Sequence, residues 1–166
     1  MISLRISAVV FLLSLATIAN AQTTTLATSE SRDASIAYIG VANFVVGRVG
    51  RDCLALLGRL EVPKDFVAVW QQRNAKYLQA SQKYMDARIN EAEVSGGVGQ
   101  RNAIIDALTK SVRGVAESTV KSWLNQADKT EACKRSVAII ESGAYDFSPS
   151  SPMYGELESL AAWAQR

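Results

Sequence analysis

Between Lys64 and Val94 the chain runs for 31 residues without a glycine or proline, and its apolar residues recur at helical spacing. A stretch of that kind predicts an α-helix, about 46 Å long at 1.5 Å per residue. On a helical wheel Phe66, Trp70, Tyr77 and Tyr84 fall along one margin of an arc, and Val67, Leu78, Met85 and Ile89 along the other. Asn74, Ser81 and Arg88 stand between the margins, each seven residues from the next. Gln72, Lys76, Gln79, Lys83, Asp86 and Asn90 form the opposite face, which suits water. A helix this long cannot bury its own stripe, so other helices must cover it.

The rest of the chain supplies them. Ile39, Ala42, Val46, Val49, Cys53, Leu56 and Leu60 alternate spacings of three and four, predicting a helix over Asp33–Leu60 that Tyr38, Val45 and Leu57 widen. Gly40, Gly47 and Gly50 lie on another side of it. Each costs up to about 1 kcal/mol against alanine in a helix interior. They point either to close approach of a neighbouring backbone or to a kink near Gly47 or Gly50. Glu61-Val62-Pro63 stops this helix, and Pro63 suits the first turn of the next, with Asp65 close behind to complement its dipole. So short a connection makes the two antiparallel neighbours.

Ser95-Gly96-Gly97-Val98-Gly99 reads as a turn. A third helix follows over Gln100–Ala127, with Ile104, Ile105, Leu108, Val112, Val115, Thr119, Val120 and Trp123 on its buried face. Asp128 to Glu131 resembles a capping box that opens a short fourth helix carrying Cys133, Val137 and Ile140, with Gly143 at its C′ position. Ala144–Ser151 is a loop by its Ser and Pro content. Ser151 and Pro152 then suit the N-cap and first position of a last helix, whose stripe is Met153, Leu157, Leu160 and Ala164, with Tyr154 and Trp163 beside it. The fold class expected is all-α: one domain over residues 33–166, an up-down bundle of four to five helices.

The first residues read as a secretory signal: Arg5 in a short n-region, an apolar run over Ile6–Ile18, and an A-x-A site at Ala19-Asn20-Ala21. Residues 1–21 are then removed, and Gln22–Arg32, rich in Thr and Ser, forms a flexible leader. The exported chain of 145 residues loses only Arg5 among its charges, leaving 17 basic against 16 acidic side chains. That balance makes no electrostatic case for nucleic acid or an anionic membrane. No second stretch is long enough to span a bilayer. The compartment expected is the periplasm or the extracellular medium. There an even cysteine count favours one disulfide, Cys53–Cys133. In an up-down bundle both cysteines fall near one pole, as a bridge requires.

Histidine is absent from the sequence, which removes Ser-His and Cys-His nucleophilic pairs and most zinc and iron sites. No metal or cofactor is expected. Ser118-Thr119-Val120-Lys121 matches S-x-x-K, but the companion motifs of penicillin-recognising enzymes are missing. Gly96 to Arg101 could cradle an anion at a helix N-terminus, yet no strand leads into it. Glu91 and Glu93, two apart on a helix, point to different sides. Pro149 to Pro152 matches P-x-x-P, which helix capping explains better. The residues left over are the ladder and its walls. Trp70, Asn74, Tyr77, Ser81, Tyr84 and Arg88 either face a seam between helices or line a polar groove for a ligand. Were Arg88 buried, Asp52 and Asp106 are the carboxylates placed to neutralise it. The function expected is binding without catalysis, toward a protein or small ligand of the cell envelope. The alternative is an inhibitor or immunity-type protein acting on a secreted enzyme.

Overall fold

Five helices build the computed structural model over residues 30–166, the part of the chain it describes; the expected signal segment and all but the last three residues of the expected leader lie outside the described residues. They are α1 (Glu30–Cys53), α2 (Pro63–Arg73), α3 (Ala75–Leu124), α4 (Lys129–Glu141) and α5 (Tyr154–Ala164). No strand occurs among the described residues. The all-α bundle and its disulfide are as the sequence predicts, with Cys53 and Cys133 fully buried and their Cα atoms 5.2 Å apart.

The helix ends differ from expectation in instructive ways. Helix α1 begins at Glu30, inside the expected leader, and ends at Cys53 rather than Leu60. Gly58, at φ 70°, closes it off. The Arg59 amide donates to the Leu54 carbonyl at 2.9 Å, five residues back, which is the wrapped-over ending a C′ glycine permits. The long run from Lys64 is not one rod either. At Asn74 the backbone leaves the helix (φ −104°, ψ 17°), separating α2 from α3 by a single residue. The Asn74 side chain donates to the Trp70 carbonyl at 2.9 Å, the local competition that bends helices at Asn.

Helix α3 is two arms. Gly97 (φ 68°, ψ −167°) breaks it. Ser81 and Met85 of the first arm share a cavity with Leu108 and Val112 of the second. A straight helix would hold Ser81 and Val112 about 46 Å apart, so the arms double back as antiparallel neighbours. Glu93 and Arg101 form an ion pair across the turn at 3.6 Å. That turn is where the Gly-rich stretch predicts one.

Helix α1 is the central element, in contact with every other helix. Its buried Ile36, Ile39, Val45, Val46 and Val49 join Trp70, Tyr84, Val120, Val137, Ile140, Leu157 and Leu160 in one core. Two of its glycines permit close approach: a Cβ on Gly40 would meet Val112 at 3.1 Å, and one on Gly50 would meet Phe66 at 3.0 Å. Gly47 has open space and the helix runs on through it, so no kink is needed there. Asp128 caps α4 by accepting from the Glu131 amide at 3.0 Å, and Gly143 follows that helix at φ 80°. Glu131 itself turns to Lys134 instead of reaching back. Ser151 and Pro152 do not open α5. Met153 does, in the left-handed conformation (φ 58°), while Ser151 Oγ accepts from the Ser148 amide within the preceding turn. No helix among the described residues is long and apolar enough to cross a membrane.

Candidate functional site

The ladder residues part company in the fold. Asn74, 1% exposed, is tied on three sides. It donates to Trp70 O and, at 3.0 Å, to Asp146 Oδ1, and it accepts from the Phe147 amide at 2.9 Å. Arg73 joins the same cluster, donating to both Asp146 oxygens and to the Ile140 carbonyl. Together they clamp the Tyr145–Phe147 segment onto the α2–α3 junction. The ring of Phe147 packs edge-on to Trp70 and Tyr77, and Tyr145 packs against Trp123. Burial and the nearby Tyr38 push the Tyr145 hydroxyl up to about 12.

Trp70, Tyr77 and Tyr84 are therefore core residues, although Trp70 also borders a cavity beside Phe66 and Val69. Their polar tips are satisfied internally. Trp70 Nε1 donates to the Tyr145 carbonyl at 3.3 Å, the Tyr77 hydroxyl bonds to the Glu158 carboxylate, and the Tyr84 hydroxyl donates to Asp33 at 2.7 Å. Burial first, then these carboxylates, raise both phenols above their ordinary range. On the other side of the Tyr77 contact, the Lys76 ammonium and the Tyr77 hydroxyl hold Glu158 down at about 2.

Arg88 is likewise engaged. It pairs with Asp33 of α1 at 3.4 Å and with Glu91 at 3.2 Å. A carboxylate from a neighbouring helix does neutralise it, but neither Asp52 nor Asp106 is that partner. Asp52 is taken by Arg48 and Arg51, each at 3.0 Å; burial works against ionisation there, and the two guanidinium groups still lower its pKa.

Ser81 faces a separate cavity. It lines a cavity of about 290 Å³ between α1 and the two arms of α3. Ile36, Ala37, Gly40 and Phe44 come from α1, Met85 from the first arm, and Leu108, Thr109, Val112 and Arg113 from the second. The i, i+4, i+8 spacing of Ile36, Gly40 and Phe44 aims one stripe of α1 into it. Gly40 matters here because its missing side chain lets Val112 sit against α1. The wall is mostly apolar, with polar groups at Ser81, Thr109 and Arg113. Sequence periodicity marks Leu108 and Val112 as buried candidates but not Ile36 or Phe44, and it does not separate a packed seam from an incompletely filled one.

The other candidates fall away on geometry. A second cavity of about 240 Å³ gathers Glu61, Asp65 and Glu141 around Phe66 and Val69. Arg59 bridges Glu61 at 3.0 Å and Glu141 at 2.6 Å, so those carboxylates are already engaged. Ser118 is exposed, and Arg101 at the glycine turn is paired with Glu93 rather than free for an anion. Among the described residues no group of three or more His, Cys, Asp or Glu side chains is placed to hold a metal. No family model matches the chain, and comparison with curated proteins and with solved structures yields no match.

Proposed function

We propose that this chain is an exported, non-enzymatic binding domain of the periplasm or extracellular medium, and that its ligand site is the cavity between α1 and the arms of α3. The observation that carries the reading is the cavity itself: about 290 Å³ of space with an apolar wall and three polar groups at Ser81, Thr109 and Arg113. Small-molecule sites have that composition, since apolar walls supply affinity and a few polar groups fix orientation. The cleft opens to solvent and leaves apolar side chains of its wall uncovered, which a ligand would bury. The test is methyl-labelled protein titrated with a panel of small apolar compounds. The methyl resonances of Ile36, Met85, Leu108 and Val112 are expected to shift together, while those of Val137 and Leu160 in the core stay put. A panel that moves none of them refutes the reading.

A second reading, an inhibitor acting on a secreted enzyme, has one observation in its favour. Leu60 is 100% exposed, in a connection that also exposes Leu56 and Val62. The Ala144–Pro152 loop does not supply a comparable wedge, because Tyr145 and Phe147 turn inward. Replacing Leu60 with Ser separates the readings: loss of enzyme inhibition with intact small-molecule binding would favour the inhibitor.

A further inference from the structure

From the rim of this cavity we infer the class of its ligand: a single-chain apolar molecule ending in a carboxylate, with its tail between α1 and α3 and its head on Arg113. The inference rests on the binding reading above and adds the chemistry of the occupant.

Arg113 is the one charged side chain lining the cavity among the described residues. Its neighbours along the second arm of α3 include Asp106 and Glu117, yet neither forms an ion pair with it. Most other arginines of the fold are matched: Arg48 with Asp52, Arg59 with Glu61 and Glu141, Arg73 with Asp146, Arg88 with Asp33. A guanidinium is charged at any physiological pH and offers a planar fork of donors that fits a carboxylate. Left without an internal acid at the mouth of an apolar cleft, it selects for an anion. Ser81 reinforces the choice, since its hydroxyl has no hydrogen-bond partner among the described residues. Thr109 stands one turn from Arg113 on the same arm and adds a third donor.

Size sets the tail. A cavity of about 150 Å³ accepts benzene. The space here is about 290 Å³. It therefore suits a guest of about twelve heavy atoms on the same scale, which is the size of decanoate. Ile36, Phe44, Met85, Leu108 and Val112 offer the chain no hydrogen-bond donor or strong acceptor. A sugar or a peptide would leave its polar groups unpaired against that wall.

The test titrates the exported, disulfide-bonded protein with decanoate, decanol and decyltrimethylammonium, each below its micelle concentration, by calorimetry with methyl NMR as the site readout. Decanoate is expected to bind one-to-one, about tenfold tighter than decanol at low salt, with the preference shrinking as salt rises. Arg113→Gln should bring decanoate and decanol to within about twofold of each other. Ser81→Leu and Ala37→Leu should each abolish binding of both; whichever of the two retains the wild-type melting curve serves as the control. Equal binding of all three compounds would overturn the ligand class and leave the binding reading standing. Absence of any binding would defeat both. Binding to phosphatidylglycerol vesicles without binding of monomeric decanoate would overturn the inference in favour of a membrane surface.

Discussion

Replacing Asn74 with Ala tests whether the clamp on the Tyr145–Phe147 segment holds the bundle together. Asn74 is 1% exposed, and the amide of buried Phe147 donates to its side chain at 2.9 Å. Deleting the acceptor leaves that amide unpaired in the interior, which costs about 1–3 kcal/mol. The donation to Asp146 is lost as well, for about 1 kcal/mol, because Asp146 keeps its two bonds from Arg73. The bond to Trp70 O counts for little, since the Asn74 amide still donates there at 3.2 Å. Alanine recovers no helix propensity here, because the residue stands between two helices and not inside one. The net is a loss of roughly 2–4 kcal/mol, a large share of the ~5–15 kcal/mol that holds a domain of this kind. Urea unfolding should show a lower midpoint with an unchanged slope, and thermal melting a fall of about 8 °C. Asn74→Asp keeps the acceptor for Phe147 but sets a second carboxylate beside Asp146, so it should also destabilise at neutral pH. Adding Asp146→Asn should restore part of that loss. An Asn74→Ala protein within about 0.5 kcal/mol of wild type, or an Asn74→Asp protein as stable as wild type, would refute the reasoning.

Three further outcomes are expected. Reduction, or Cys53→Ser with Cys133→Ser, should lower stability by up to about 4.5 kcal/mol, the loop-closure entropy of an 80-residue separation, as read from urea melts with and without reductant. Arg88→Met should lower the melting temperature by about 2–4 °C, because Asp33 loses its cation but keeps the Tyr84 hydroxyl; a rise in stability with loss of ligand binding would instead put Arg88 in the ligand site. Glu158 ionises at about 2 in the fold against 4.5 ordinarily, so its contribution is complete above pH 4.5 and fades as the pH falls toward 2. Glu158→Gln should flatten the stability profile across that window, with a neutral-pH cost under about 1 kcal/mol because the carboxylate is partly exposed; an unchanged acid limb would remove Glu158 from the account.

Helix stripes, the glycine turn and the paired cysteines are local or compartmental signals, and they were legible in the sequence. The breaks at Asn74 and Gly58 were less so, for different reasons. Gly58 has a local signature, a glycine just before a charged and turn-prone stretch, but the apolar spacing of Leu56 and Leu60 masks it. Asn74 leaves the helix because of Asp146 and Phe147, which are more than seventy residues away in sequence. The same holds for Arg88: its carboxylate is on a neighbouring helix as expected, but it is Asp33, which stands beside Tyr84 and Arg88 near the start of α1, whereas Asp52 lies about 28 Å further along that helix. The cavity was the least legible feature. Ser81 stands out as polar on an apolar stripe, yet whether the seam around it is filled depends on how closely α1 and both arms of α3 approach, which periodicity does not encode.

The bridge between Cys53 and Cys133 closes a ring that contains α2 and the whole of α3, with the glycine turn at its far end. A protease that cuts once between Gly96 and Gly99 would therefore yield two pieces that stay covalently joined. One carries α1, α2 and the first arm; the other carries the second arm, α4 and α5. Such a nicked molecule would run as intact on a non-reducing gel and as two bands after reduction. It would also keep the residues on either side of the cleft opposed, since the link between its pieces lies in the core and the cut lies at the exposed tip. The exposed glycine turn is in this sense a place where the chain can be severed and still hold together.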